Sequence, residues 1–177
     1  CSHPTGGVGA ICPSGDTLFI IEPIADTFAR HTKLGRASLF AYGKGKGSKL
    51  VYFYCIYGHS GGHGNSTKAS LTNAIVQAVD DDIKLRPPGA HFILGDINAD
   101  VPDIPALDRL IADEGWVDLG AVADQWGQPP NLPTCITKGA HDATRRDYVF
   151  SSPMAFQLVT HFQVDAGDVC PTHSTLT

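Results

Sequence analysis

The chain has 177 residues, 42% of them hydrophobic and 18% charged, which fits one folded domain over residues 1–177 and argues against a disordered chain. Nothing approaches the ~20 continuous apolar residues of a membrane span; the best apolar run, Leu50–Tyr57, suits a buried strand. A net charge of −5 speaks against a generally basic nucleic-acid binder, but the charge is segregated along the chain. From Thr27 to Val79 there is no Asp or Glu, while Arg30, Lys33, Arg36, Lys44, Lys46, Lys49 and Lys68 are basic. From Asp80 to Asp124, eleven carboxylates face Lys84, Arg86 and Arg109. The basic stretch is a candidate track for a polyanion, or else a solvated face.

The elements follow from pattern. Gly7–Cys12, Leu18–Ile24, Ala37–Tyr42 and Leu50–Tyr57 are predicted strands, with Gly43–Gly47 as a hairpin connection between the last two. Ser66 or Thr67 is predicted to cap a helix whose Leu71, Ile75, Val79 and Ile83 form one buried stripe, stopped by Arg86-Pro87-Pro88-Gly89. His91–Leu94 is a strand, and a second helix runs from about Ile104 to Glu114 with Pro105 in its first turn. Asp147–Ser151 and Phe156–Val164 complete the predicted strands. Hairpin-like strands, then helix–strand–helix, then more strands indicate a mixed α/β sandwich. The five cysteines, Cys1, Cys12, Cys55, Cys135 and Cys170, are widely spaced without a C-x-x-C pair. They read as free thiols in a reducing compartment, so an intracellular location, cytoplasmic or nuclear, is expected.

Four short segments carry candidate chemistry. In Gly95-Asp96-Ile97-Asn98 a strand delivers a carboxylate and an amide two residues apart, able to converge on one ligand if the segment is extended. Asp96 can orient water or bind a hard cation; the alternative is a polar turn in which both side chains satisfy backbone amides. In Arg145-Arg146-Asp147-Tyr148-Val149-Phe150 a carboxylate heads an apolar strand, where it needs a partner such as histidine, or pairs with its own arginines at the surface. His173, in Pro171-Thr172-His173-Ser174, would form an oriented acid/base unit if it met Asp147. Tyr57 closes its strand and opens a loop containing His59 and His63, whose intervening glycines argue against a helical metal site. Its phenol either reaches a phosphate or packs as a strand-end aromatic.

In this order, Gly6-Gly7-Val8-Gly9-Ala10-Ile11, Tyr57, Gly95–Asn98, Thr134, Arg146–Phe150 and Thr172-His173-Ser174 resemble the endonuclease/exonuclease/phosphatase (DNase I-like) superfamily, including endonuclease domains of the retrotransposon type. The resemblance implies a four-layer α/β sandwich of two mixed β-sheets flanked by helices. It implies catalytic roles for Tyr57, Asp96, Asn98, Asp147 and His173, and substrate contacts for His59, Thr134 and Arg145. Asp96 and Asn98 would serve the metal, Mg²⁺ or Mn²⁺, and the expected partner is nucleic acid, DNA in preference to RNA. The implied function is endonucleolytic phosphodiester hydrolysis. The alternatives are a phosphatase of the same fold acting on phosphoinositide, sphingomyelin or nucleotide, and a non-catalytic binding or scaffold domain. Two departures bear on this. The family's first strands, with an Asn and the principal metal-binding Glu, precede its Gly-Gly-Val-Gly segment, where this chain has only Cys1–Thr5; a truncated domain lacking its first strands is therefore expected. Thr172 stands where the family usually has Asp, which weakens the expected metal affinity.

Overall fold

A computed structural model of the chain describes residues 10, 18–43, 49–62, 64–136, 142–165 and 173–177. The expected Gly7–Cys12 strand and Gly43–Gly47 connection, along with Cys1, Cys12, His63, Cys170 and Thr172, lie wholly or mostly outside those residues. The described elements are β1 (Leu18–Ile20), α1 (Asp26–Lys33), β2 (Ala37–Tyr42), β3 (Val51–Tyr57), α2 (Ser66–Lys84), β4 (Ala90–Asp96), α3 (Pro105–Glu114), β5 (Val117–Asp118), β6 (Asp147–Ser151), α4 (Pro153–Phe156), β7 (Val164–Asp165) and β8 (Thr175–Leu176). They form a six-stranded mixed sheet in the order β1-β2-β3-β4-β6-β5 and a two-stranded ribbon of β7 and β8.

Alternation along the strands separates two faces. Leu39, Tyr54, Ile56, Ile93, Tyr148 and Phe150 pack beneath the three longer helices, against Phe28 of α1, Ile75, Val76 and Val79 of α2, and Leu107 and Leu110 of α3. On the other face Phe53, Phe92, Leu94 and Val149 meet Ala155 and Val159, and a smaller cluster of Leu119, Ala123 and Phe162 continues it toward Leu176. β3 and β4 run parallel with α2 as their crossover, while β4 and β6 are antiparallel. The carboxyl ends of β3 and β4 and the amino end of β6 therefore share one edge of the sheet.

Several expectations need correction. The expected strand Phe156–Val164 is broken: Pro153 sits in the first turn of α4, Ser152 Oγ accepts from Ala155 N, and only Val164–Asp165 remains extended. Strand β1 stops at Ile20, four residues short of its predicted end. The cap of α2 is Asn65, whose side chain accepts from Lys68 N, and neither Ser66 nor Thr67. Leu71 is exposed at 43%, because steps of four residues advance about 40° around a helix of 3.6 residues per turn. The buried stripe instead runs through Ala69, Thr72, Ile75, Val76 and Val79.

Helix α1 was not expected, since its eight residues bury only Phe28 and its N-cap, Ala25, offers no side-chain acceptor. Its acceptor comes from α2. Asp82 Oδ1 takes the Ile24 and Ala25 amides at 2.6 and 2.9 Å. Its Oδ2 takes Tyr54 OH at 2.8 Å and Arg86 Nε at 2.7 Å, and Arg86 donates onward to the Glu22 carbonyl at 2.8 Å. Burial opposes the ionised carboxylate, but the Ala25 amide, Arg86, the Ile24 amide and Tyr54 outweigh it and hold the group below the usual carboxylate range. His91 lies beside this clamp, stacked on Tyr52 at 5.0 Å, and burial lowers its imidazole to about 4.

Replacing Asp82 by Ala strands Arg86 and is expected to cost about 3 kcal/mol in urea unfolding, the usual scale for breaking a buried pair; a loss below about 1 kcal/mol would contradict the clamp. His91 gives a pH signature. Its folded value lies below the ordinary 6.5, so between about 6.5 and about 4 the unfolded chain binds a proton that the folded chain refuses. Stability should fall as pH drops through that window, and the His91→Gln variant should show a flatter profile of Tm against pH.

Candidate active site

Strand register assembles the site. Tyr57 of β3 is paired with Asp96 of β4, and Asp96 with Asp147 of β6, so three side chains at one edge of the sheet lie in a row. Two close approaches allow it. Gly95 has φ +134°, and a Cβ there would stand 2.1 Å from the Ile56 carbonyl oxygen; at Gly58 it would stand 2.1 Å from that of Ile97. Only glycine fits either place.

Beyond Asp96 the chain turns. Asn98 has φ +56°, a left-handed conformation that Asn tolerates, and its amide donates to Asp96 Oδ1 at 3.1 Å. Asp96 and Asn98 thus converge through a turn and not along an extended strand. The Asn98 side-chain nitrogen is buried and closes no geometric hydrogen bond, yet it lies near enough to Asp96 to favour the ionised carboxylate. Burial first, and then the neighbouring Asp147 carboxylate, raise Asp96 above its ordinary value, with His173 and the side chain and amide of Asn98 acting in the opposite direction.

Asp147 and His173 meet: Asp147 Oδ2 and His173 Nδ1 are 2.7 Å apart. The imidazole is fixed from its other side as well, because Nε2 lies 3.7 Å from Cys135 Sγ and the two residues form an antiparallel bridge. Thr134 holds the frame. Its Oγ1 accepts the Arg146 and Asp147 amides, both at 2.9 Å, while its carbonyl accepts Ser174 N at 2.6 Å. One buried threonine therefore anchors the strand of Asp147 and the segment of His173 together.

The remaining candidates are placed differently. Thr134 is 1% exposed, so the structure makes it a positioning residue and not a substrate contact. Arg145 forms an ion pair with Asp118, donates to Asn131 Oδ1 at 2.8 Å and stacks over Tyr148 at 4.2 Å, which commits its guanidinium within the protein. With Trp116 it lines a cavity of about 620 Å³ whose lining includes none of Asp96, Asp147 and His173. His59 is half-buried beyond Tyr57, its amide donating to Thr72 Oγ1 at 2.9 Å. Cys135 was read only as a free thiol; it is buried, as is Cys55. Its contact with His173 arises from a pairing 38 residues apart that leaves no local signal. Among the described residues no group of three or more His, Cys, Asp or Glu is placed to hold a metal ion.

The anchor makes a testable demand. Thr134→Val leaves two buried amides without an acceptor and is expected to cost about 2 kcal/mol in urea unfolding, whereas Thr134→Ser keeps the hydroxyl and most of the stability. Equal losses would show that the methyl group matters and the hydroxyl does not.

No protein-family model and no curated protein matches the chain. Solved structures do. The chain is similar to a 3′-5′ exonuclease (NExo) from Neisseria meningitidis, at 16% identity and a TM-score of 0.59, over 90% of this chain and 68% of that one. It is also similar to a 3′ phosphatase NExo from Neisseria bound to a product DNA hairpin, at 16% identity and 0.56, over 80% and 63%. Truncated Caenorhabditis elegans TDP2 matches at 12% identity and 0.56, over 90% and 64%. This chain thus spans about two thirds of the length of these structures. The mixed sheet flanked by helices, and its likeness to these enzymes, give the chain the fold of the endonuclease/exonuclease/phosphatase (DNase I-like) superfamily.

Proposed function

We propose that the chain is a hydrolase of phosphodiester bonds in nucleic acid, with DNA as the preferred substrate. The observation that carries this reading is the row Tyr57–Asp96–Asp147 completed by His173 at 2.7 Å from Asp147. In it a carboxylate, an oriented imidazole, a phenol and an unsatisfied amide donor gather at one sheet edge. The fold likeness to nucleases and phosphatases, two of them described with bound DNA product, supports the same reading.

In this mechanism Asp96 orients water for attack on phosphorus, and its raised proton affinity makes it a better base than a solvated aspartate. The Asn98 side-chain nitrogen donates to a non-bridging oxygen, satisfying a group that is otherwise buried without a partner. His173, oriented by Asp147 through Nδ1, holds or supplies a proton at a phosphoryl oxygen through Nε2, which exchanges its weak 3.7 Å contact with Cys135 Sγ for the substrate. Tyr57 donates its hydroxyl to the same group. Asp96 and Asn98 supply two oxygen donors, and the repulsion between Asp96 and Asp147 favours a nearby cation. That donor set fits Mg²⁺ or Mn²⁺ held through few protein ligands, with water and substrate phosphate completing the shell. When bound, such an ion neutralises phosphate charge and lowers the pKa of water.

The sparse donor set also favours a second reading, a domain that grips nucleic acid without cutting it. Plasmid nicking with Mn²⁺ separates the two. Cleavage is expected, and Asp96→Ala should reduce it at least about 100-fold, the lower end for loss of a general base, with Tm unchanged. No nicking by the parent chain supports the binding reading; equal nicking by the variant reduces Asp96 to a turn residue.

A further inference from the structure

Of the stretch without carboxylates, Thr27–Val79, Arg36 and Lys68 come together with His31 and His59 on one flank of the catalytic row. A chain of bonds places them. Arg36 N donates to the His31 carbonyl at 3.0 Å, which sets the end of α1 beside the head of β2. Tyr57 N donates to the Arg36 carbonyl at 2.8 Å, and the Arg36 guanidinium lies 5.0 Å over the Tyr57 ring while donating to the Gly58 carbonyl at 3.1 Å. His59 follows, tied through its amide to Thr72 of α2. Lys68 stands one helical turn before Thr72, toward the catalytic edge, and its side chain is exposed. His31, Arg36, His59 and Lys68 therefore come from three segments to one place, with Tyr57 between them and Asp96.

We propose that His31, Arg36, His59 and Lys68 form a subsite for a backbone phosphate of the substrate strand, next to the one that is cut. Arg36 heads β2, two strands from Asp96, roughly 10 Å at the usual strand spacing, within reach of a neighbouring phosphate of the same strand. Its stacking on Tyr57 links the subsite to the catalytic row. Burial, then the positive charges of Arg36 and Lys68, and last His31, whose own value burial lowers, keep His59 below the ordinary imidazole value, so it meets an anion as a neutral donor. A small phosphoester has one phosphate and fills only the catalytic row; a strand fills both. The subsite thus selects polymeric substrate. It rests on the nucleic-acid reading above and deepens it.

Binding tests it independently of cleavage. The affinity of the full chain for a fluorescein-labelled single-stranded oligonucleotide is measured by anisotropy in EDTA from 50 to 200 mM NaCl. Lys68→Gln should weaken binding roughly threefold and reduce the slope of log affinity against log salt by about 0.7, the share of one phosphate contact on a single strand. Adding His59→Asn should weaken it further. Lys84→Gln, at the far end of α2 and outside the basic stretch, should leave affinity and slope unchanged. Lys68 is exposed, so folding is not at stake, and Tm checks the double variant. An unchanged slope in the double variant overturns the subsite. So does absence of oligonucleotide binding, or the same residues serving vesicles of phosphatidylinositol phosphate with no oligonucleotide bound. Binding through Lys68 and His59 without Mn²⁺-supported cleavage supports the subsite and removes the hydrolytic reading.

Discussion

Strand β4 is hydrogen-bonded along both edges, parallel to β3 and antiparallel to β6, and every functional proposal depends on that pairing. A residue in a doubly paired strand has fixed neighbours at about 4.8 Å on either side. Asp96 therefore lies between Tyr57 and Asp147 because of register, with no loop having to find its place. The cost is close packing at the strand ends, met by Gly58 and Gly95. A one-residue slip would turn Asp96 away and bring Ile97 into the row. Register at this edge is secured by Thr134, which fixes the start of β6 through two backbone amides and joins it to the segment of His173.

Stability and chemistry are held at different places in the same sheet. Near the amino ends of β3 and β4, the fully buried Asp82 is satisfied by two backbone amides, Tyr54 and Arg86, and binds α1 to α2. At the edge that carries Tyr57, Asp96 and Asp147, the buried Asn98 nitrogen closes no geometric hydrogen bond, and Asp96 faces Asp147. Unsatisfied groups are costly in a dry interior. Among the described residues three further buried side-chain atoms, on His91, Arg146 and Ser151, lack a partner, so what sets this edge apart is the pair of facing carboxylates beside Asn98.

The central sheet was legible because its strands follow simple rules: apolar runs at β2, β3, β4 and β6, a long helix between β3 and β4, and a proline-led α3. Asp96, Asp147, His173 and Tyr57 were legible as a set through the order of short motifs, and the pairing of Asp147 with His173 is as expected. What sequence did not display depends on distant partners. Helix α1 takes its cap from Asp82, 57 residues away, so no local signal marks its start. Thr134 and Arg145 were legible as polar residues near the motif, but burial and partners direct them inward, to the Asp147 frame and to Asp118. The α4 turn, Pro153–Phe156, was missed because it falls between the predicted strands Asp147–Ser151 and Phe156–Val164 and shares only Phe156 with them, while its cap is Ser152.

The claim that the row acts as one unit on a phosphodiester is tested most directly by a double-mutant cycle. The rate of Mn²⁺-supported oligonucleotide cleavage is measured for the parent, Asp96→Asn, His173→Asn and the double variant. Groups that serve one transition state lose their effect together, so the double variant should be no slower than the slower single variant within about threefold. Losses that multiply, or single variants as fast as the parent, would contradict the account.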